Sequence, residues 1–131
     1  MGVVYHANYL QYFDVGRTEY MRERGLPYAE VEKRGYILSV VDVGVKYRRS
    51  AHYDELLELV TRVAHSSRTT VTFEYELMGP GGELLTTGHT RLTCLDGRDN
   101  RPSKLPPELR ALLEQGASSG RKPIQAPSEA P

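Results

Sequence analysis

The 131-residue chain has no tryptophan, two phenylalanines and one cysteine, Cys94. A lone cysteine forms no intrachain disulfide, and the N-terminus shows no basic-then-apolar leader ending in small residues, so a cytoplasmic protein is expected. Charge of one sign is not in excess either. Lys plus Arg total 17 and Asp plus Glu 17, with a pI near 6.9, which excludes a partner held by bulk electrostatics; no nucleic acid is expected. The longest basic run is Arg48-Arg49, read as a solvated strand end. No apolar run approaches the ~18 residues of a membrane span, so no integral membrane segment is expected. A chain of this length buries about two-thirds of its unfolded surface and can hold one core without disulfides or metals. There is no G-x-S-x-G elbow, no phosphate-binding G-x-x-x-x-G-K-[ST], no G-x-G-x-x-G and no H-E-x-x-H. His6, His52, His65 and His89 lack short ligand spacing, so no metal is expected. Cys94, within a strand pattern, reads as a small core residue.

What is abundant is tyrosine: nine in all, six of them (Tyr5, Tyr9, Tyr12, Tyr20, Tyr28, Tyr36) in the first 36 residues. Asn8 as cap with Gln11 three residues on, and Gly25 as stop, predict a helix over Tyr9 to Arg24. Gln11, Asp14, Thr18 and Arg22 form its polar stripe; Tyr9, Leu10, Tyr12, Phe13, Gly16 and Tyr20 form a broad apolar face, so protein should cover most of it. A short helix is expected between Pro27 and Gly35. Beyond Gly35 the hydrophobic period changes to 2: Val41, Val43, Val45 and Tyr47, then Leu57 to Val63, then Val71, Phe73, Tyr75 and Leu77, then Glu83 to Leu95 with a bulge expected at Gly88. Ser66-Ser67 and Gly79-Pro80-Gly81-Gly82 supply the turns, which makes the strands antiparallel. Leu109, Leu112 and Leu113 mark a short helix after Pro106-Pro107. Residues 115–131, rich in Gly, Ser, Ala and Pro, are expected to be a disordered tail behind a single domain of residues 1–114. An α+β fold with one long helix on a sheet of about four or five strands leaves open edges, and pairing with a second copy is the expected remedy.

Chemistry concentrates at the start. A polar loop, Gly2-Val3-Val4-Tyr5-His6-Ala7, enters the N-terminus of a mostly buried helix and sets free backbone N–H groups beside aromatic rings. Such donors can hold an oxyanion developing on a carbonyl, a term worth about 3 kcal/mol per donor in a dry site. The plainer alternative is that Asn8 only caps and His6 is a hydrogen-bonded boundary residue.

The run Gly-Val-Val-Tyr-His-Ala-Asn-Tyr (residues 2–9) leading into a helix with Arg17-Thr18-Glu19 resembles the hotdog-fold acyl-CoA thioesterases, in the 4-hydroxybenzoyl-CoA thioesterase-like group with the Tol-Pal-associated enzymes. The likeness continues through Ser67 to Tyr75 and at Arg101-Pro102, covering residues 1–114. It implies a long central helix wrapped by an antiparallel sheet, a homodimer or homotetramer, and cofactor-free hydrolysis of an acyl-CoA. It implies that the His6 N–H and the Asn8-headed helix start polarise the thioester carbonyl, with Tyr5 lining the site. Gly2, Val3, Val4 and Tyr9 would then contact substrate, and Arg68, with Arg48 and Arg49 as weaker candidates, would meet CoA phosphates. In the family an Asp seven positions before the residue matching His6 is base or nucleophile, on a loop after a first strand; Met1 stands only five positions before His6. That carboxylate and strand are therefore expected upstream of an internal Met1, and in-frame translation of the preceding DNA should show a strand-like run ending in Asp. Asp14, Glu19, Asp54 and Glu55 read as solvated or paired charges rather than replacements. Two other activities stay open: a hotdog hydratase or dehydratase, for which the H-F-P-G type sequence is missing, and a non-catalytic acyl-CoA binding module.

Overall fold

In the computed structural model, residues 7–49, 51–52, 55–114 and 119–125 are described. Helix α1 (Ala7–Glu23) and the short α2 (Tyr28–Lys33) precede strands β1 (Tyr36–Tyr47), β2 (Leu56–Ser66), β3 (Thr70–Met78) and β4 (Leu84–Asp96). Helix α3 (Pro107–Glu114) and strand β5 (Gly120–Gln125) complete the chain. The strands form one antiparallel sheet in the order β1-β4-β3-β2-β5, with α1 packed along one face, chiefly over β2 and β5. This is the expected α+β hotdog arrangement.

Local chemistry explains most elements. α1 ends as expected at Gly25, whose φ of 90° suits glycine. Its start is earlier than expected: Ala7, the best helix former, takes the first helical position, so Asn8 lies inside the first turn rather than before it. The buried face of α1 is Tyr9, Tyr12, Phe13, Gly16, Tyr20 and Met21. Leu10, expected in that face, is 44% exposed. Gly16 is required where the helix meets β2, since a Cβ there would lie 2.5 Å from Thr61 Oγ1 and 2.6 Å from Leu59 Cδ2. Strand β3 alternates strictly, with Val71, Phe73, Tyr75 and Leu77 buried against the helix. The β2–β3 turn is set by Ser67, whose hydroxyl accepts the Thr70 N–H at 3.0 Å.

Three expectations need correction. Gly88 stays in register with Val45 and Tyr75; the register slips lie instead between Val40 and Asp42 of β1, between Val63 and His65 of β2, and in β4 between Leu84 and Thr86. Gly88 is small instead because Phe13 packs directly over it. Strand β1 is not buried on one face: Val41, Val43 and Tyr47 stay 49%, 45% and 44% exposed, because β1 is an outer strand that α1 does not reach across. Part of the segment expected to be a disordered tail, residues 120–125, is strand β5, paired with Leu56–Thr61 of β2. The open edge of β2 supplies backbone partners, Ile124 is buried to 7% exposure, Arg121 bonds Glu58 at 2.6 Å, and Gly120 fits against the Tyr20 ring. Residues 115–118 and 126–131 lie outside the described residues. Ile124→Ala is expected to lower unfolding free energy by about 2–3 kcal/mol in a urea titration, whereas a dispensable tail would give no change.

Cys94 is fully buried in β4 with its thiol against the Lys104 carbonyl, and burial pushes its pKa up to about 11. Since a raised pKa keeps the thiol protonated below that value, Cys94 should react with an aromatic disulfide at pH 8 only after unfolding.

Candidate active site

Helix α1 begins over the end of the sheet where β1 finishes and the chain crosses to β2. The Tyr9 ring, 1% exposed, packs edge-on against Tyr12 with centroids 6.1 Å apart and against Tyr47 at 5.3 Å. Its hydroxyl accepts the Ala51 N–H at 3.4 Å, which ties the β1–β2 crossing to the first turn of the helix. In the same crossing, Glu55 accepts the His52 N–H at 2.5 Å. No acidic side chain occupies the first turn of α1, so nothing in that turn neutralises the positive end of the helix dipole.

The hydroxyls around this point are in an unusual state. Burial raises the pKa of Tyr12, with Tyr9 adding to the effect, and the same causes raise Tyr47. Both hydroxyls are protonated at neutral pH, as any tyrosine is, and the shift extends that to higher pH. Tyr12 Oη and Thr86 Oγ1 are buried without a hydrogen-bond partner among the described residues. Thr86 stands opposite Tyr47 in the β1–β4 register, on the helix-facing side.

The structure gathers some of the sequence-selected residues and separates others. Tyr9 is at the helix start, and Asn8 is in the first turn of α1. Gly2, Val3, Val4, Tyr5 and His6 lie outside the described residues. Arg68 is not brought to this end. It is exposed in the β2–β3 turn, where its carbonyl accepts the Leu105 N–H at 2.8 Å. That turn lies at the opposite end of the strands, the end at which Tyr20 of α1 meets Phe73 at 5.7 Å. Arg48 and Arg49 are exposed just after β1, at the helix-start end. Asp14 pairs with Arg17 and Glu19 with Arg22, as expected of structural charges. Sequence reasoning did not single out Tyr47, Ala51 or Thr86, because each reaches the helix start through tertiary contacts and none stands in a local pattern of its own.

A long helix whose first turn carries no acidic side chain, packed on one face of a five-stranded antiparallel sheet, is the hotdog arrangement. Residues 1–113 match the thioesterase-like superfamily, and the chain belongs to it. YneP of Bacillus subtilis is 33% identical over 102 residues, spanning 78% of this chain and 74% of that relative. The acyl-CoA thioesterase YbgC of Haemophilus influenzae is 32% identical over 113 residues, 86% of this chain and 82% of its own. Among solved structures, the DHNA-CoA thioesterase of Staphylococcus aureus superposes with a TM-score of 0.83 at 36% identity, covering 88% of this chain and 79% of that one.

Proposed function

We propose that this protein hydrolyses an acyl-CoA thioester to the free acid and CoA, with the thioester carbonyl held at the start of α1. The observation that carries the proposal is the first turn of α1: free of acidic residues, packed among Tyr9, Tyr12 and Tyr47, and standing in a chain of the thioesterase-like superfamily. As the carbonyl becomes tetrahedral, negative charge develops on its oxygen, and backbone donors aimed there stabilise that state more than the ground state. The His6 N–H is assigned as one such donor, with Tyr5 beside it and Gly2, Val3, Val4 and Tyr9 around the substrate. Within the superfamily, the motif from Gly2 to Tyr9 favours the 4-hydroxybenzoyl-CoA thioesterase-like group with the Tol-Pal-associated enzymes.

Attack by water also needs a base. Among the described residues, the α1 carboxylates Asp14 and Glu19 are ion-paired and one or more turns from the helix start, and Glu55 is engaged on the His52 N–H. The base is assigned, from the family resemblance, to an Asp seven positions before His6. We further propose a homodimer through β1, whose outer edge has no partner strand among the described residues and whose Val40, Val41 and Val43 are 45%, 49% and 45% exposed. No helix among the described residues is long and apolar enough to cross a membrane; the lone buried Cys94 thiol suits a reducing cytoplasm.

Release of free thiol from short, long and aromatic acyl-CoAs tests the activity. Thiol release above the uncatalysed rate supports it. Tight acyl-CoA binding without any release, even with the Asp supplied, would favour a binding module, and hydration of an enoyl-CoA would favour the hydratase alternative.

A further inference from the structure

On β2 and β5 the arginines are engaged with carboxylates: Arg62 pairs with Glu74 and Glu76, and Arg121 with Glu58. The end of β1 is different. Lys46, Arg48 and Arg49 put three cations into four residues, all exposed, and none has an ion pair among the described residues. The described carboxylates of the neighbouring segments are held elsewhere: Asp42 by His89 at 3.0 Å, Glu55 on the His52 N–H, and Glu83 over Gly79 and Gly81 of its own turn. In a chain whose charges balance at 17 against 17, such a local excess is a place for an anion.

The arginine pair is also fixed relative to the helix start. The backbone N–H groups of Arg48 and Arg49 both donate to the Leu85 carbonyl, at 2.9 and 3.0 Å, which holds the two residues against the beginning of β4. Both lie past the last residue of β1, clear of the Val40 to Val43 edge assigned to the homodimer. Tyr47, immediately before them, packs on Tyr9 of α1 with ring centroids 5.3 Å apart. Two residues of chain and one arginine side chain from that contact keep the guanidinium groups within about 18 Å of the Tyr9 ring. CoA spans a similar length: the arm from its sulfur to its first phosphate is about 15 Å when extended, at about 1.2 Å per backbone bond. Its 3′-phosphate alone carries about two negative charges at neutral pH. A guanidinium meets a phosphate with two parallel N–H···O bonds, and two adjacent guanidiniums can do so for neighbouring phosphates.

We propose that Arg48 and Arg49 receive the phosphates of the CoA nucleotide, so that the protein selects CoA over bare pantetheine as the thiol carrier. The proposal rests on the thioesterase reading and adds the carrier. The start of α1 holds the thioester end and the arginine pair holds the phosphate end. Lys46, on the same strand end, adds to the attraction without a required contact.

Calorimetric titration of the full chain with CoA, 3′-dephospho-CoA and pantetheine tests this. CoA should bind at least about tenfold tighter than pantetheine, with dephospho-CoA between them. Raising the salt from about 0.05 M to about 0.5 M should remove most of that difference, because exposed charges are screened. Arg48→Gln combined with Arg49→Gln keeps both N–H groups on Leu85. It should weaken CoA at least about tenfold and leave pantetheine within about twofold. The three ligands and the salt series on the unaltered chain supply the test if that variant does not fold. Equal affinity for CoA and pantetheine, unchanged CoA binding in the double variant, or an equal loss for both ligands would overturn the proposal. Thiol release from an acyl-CoA in the same samples would then leave the thioesterase reading standing. Binding of none of the three ligands, together with no thiol release, would remove that reading and the proposal together.

Discussion

Gly88→Ala should lower the unfolding free energy by about 2–3 kcal/mol, a drop of about 10 °C in melting temperature for a chain of this size. A Cβ at Gly88 falls well inside van der Waals contact with Cε2 and Cζ of Phe13 and 3.0 Å from the Gly44 carbonyl oxygen. The Phe13 ring has no room to retreat: it is fully buried and stacked on Tyr75 with centroids 4.4 Å apart and planes 6° from parallel. Tyr75 is itself pinned by the hydroxyl bond to Thr90. The added methyl must therefore lift α1 from the sheet or push β4 against β1. Trimming the ring should relieve the clash, so Gly88→Ala combined with Phe13→Leu should be less destabilised than the sum of the two single changes. A melting temperature for Gly88→Ala equal to that of the unaltered protein would show that Phe13 does not sit where it is described.

Adding an N-terminal segment that places an Asp seven positions before His6 should raise thiol release by 10²- to 10⁴-fold, a typical contribution of a positioned general base. In the proposed reaction the helix start supplies the electrophilic half; Asp14 and Glu19 are held by arginines on α1, and Glu55 by a backbone N–H. The same extension with Asn in place of Asp should stay at the rate of the 131-residue chain, which separates the chemistry of the carboxylate from any stabilisation by the added residues. Equal rates for the Asp and Asn versions would remove the Asp from the mechanism.

How far the sequence carried this account depends on whether a feature is local. The alternation in β3 was legible because every second residue from Val71 to Leu77 is buried by one helix, and the Ser67 turn because one hydroxyl serves nearby backbone. Strand β1 has the same alternation, but a period of 2 does not distinguish an outer strand from a central one, so the exposure of Val41 and Val43 was not legible. Strand β5 has only Ile124 as a large apolar side chain and carries Pro123, and it forms because β2 offers an edge. At the site, the helix start was visible as a motif. Its surroundings were not: Tyr47, Ala51 and Thr86 join it through sheet register and the crossing to β2. For Arg68 the position was not legible for the complementary reason, since a turn signal does not say at which end of the sheet the turn falls.

The central claim is that the start of α1 polarises a thioester carbonyl, and the vibration of that carbonyl reports it most directly. Infrared difference spectra of an acyl-CoA labelled with ¹³C at the thioester carbon, bound to this chain under conditions of slow turnover, should show the C=O stretch at lower frequency than in water. A stretch at or above its frequency in water would contradict the account.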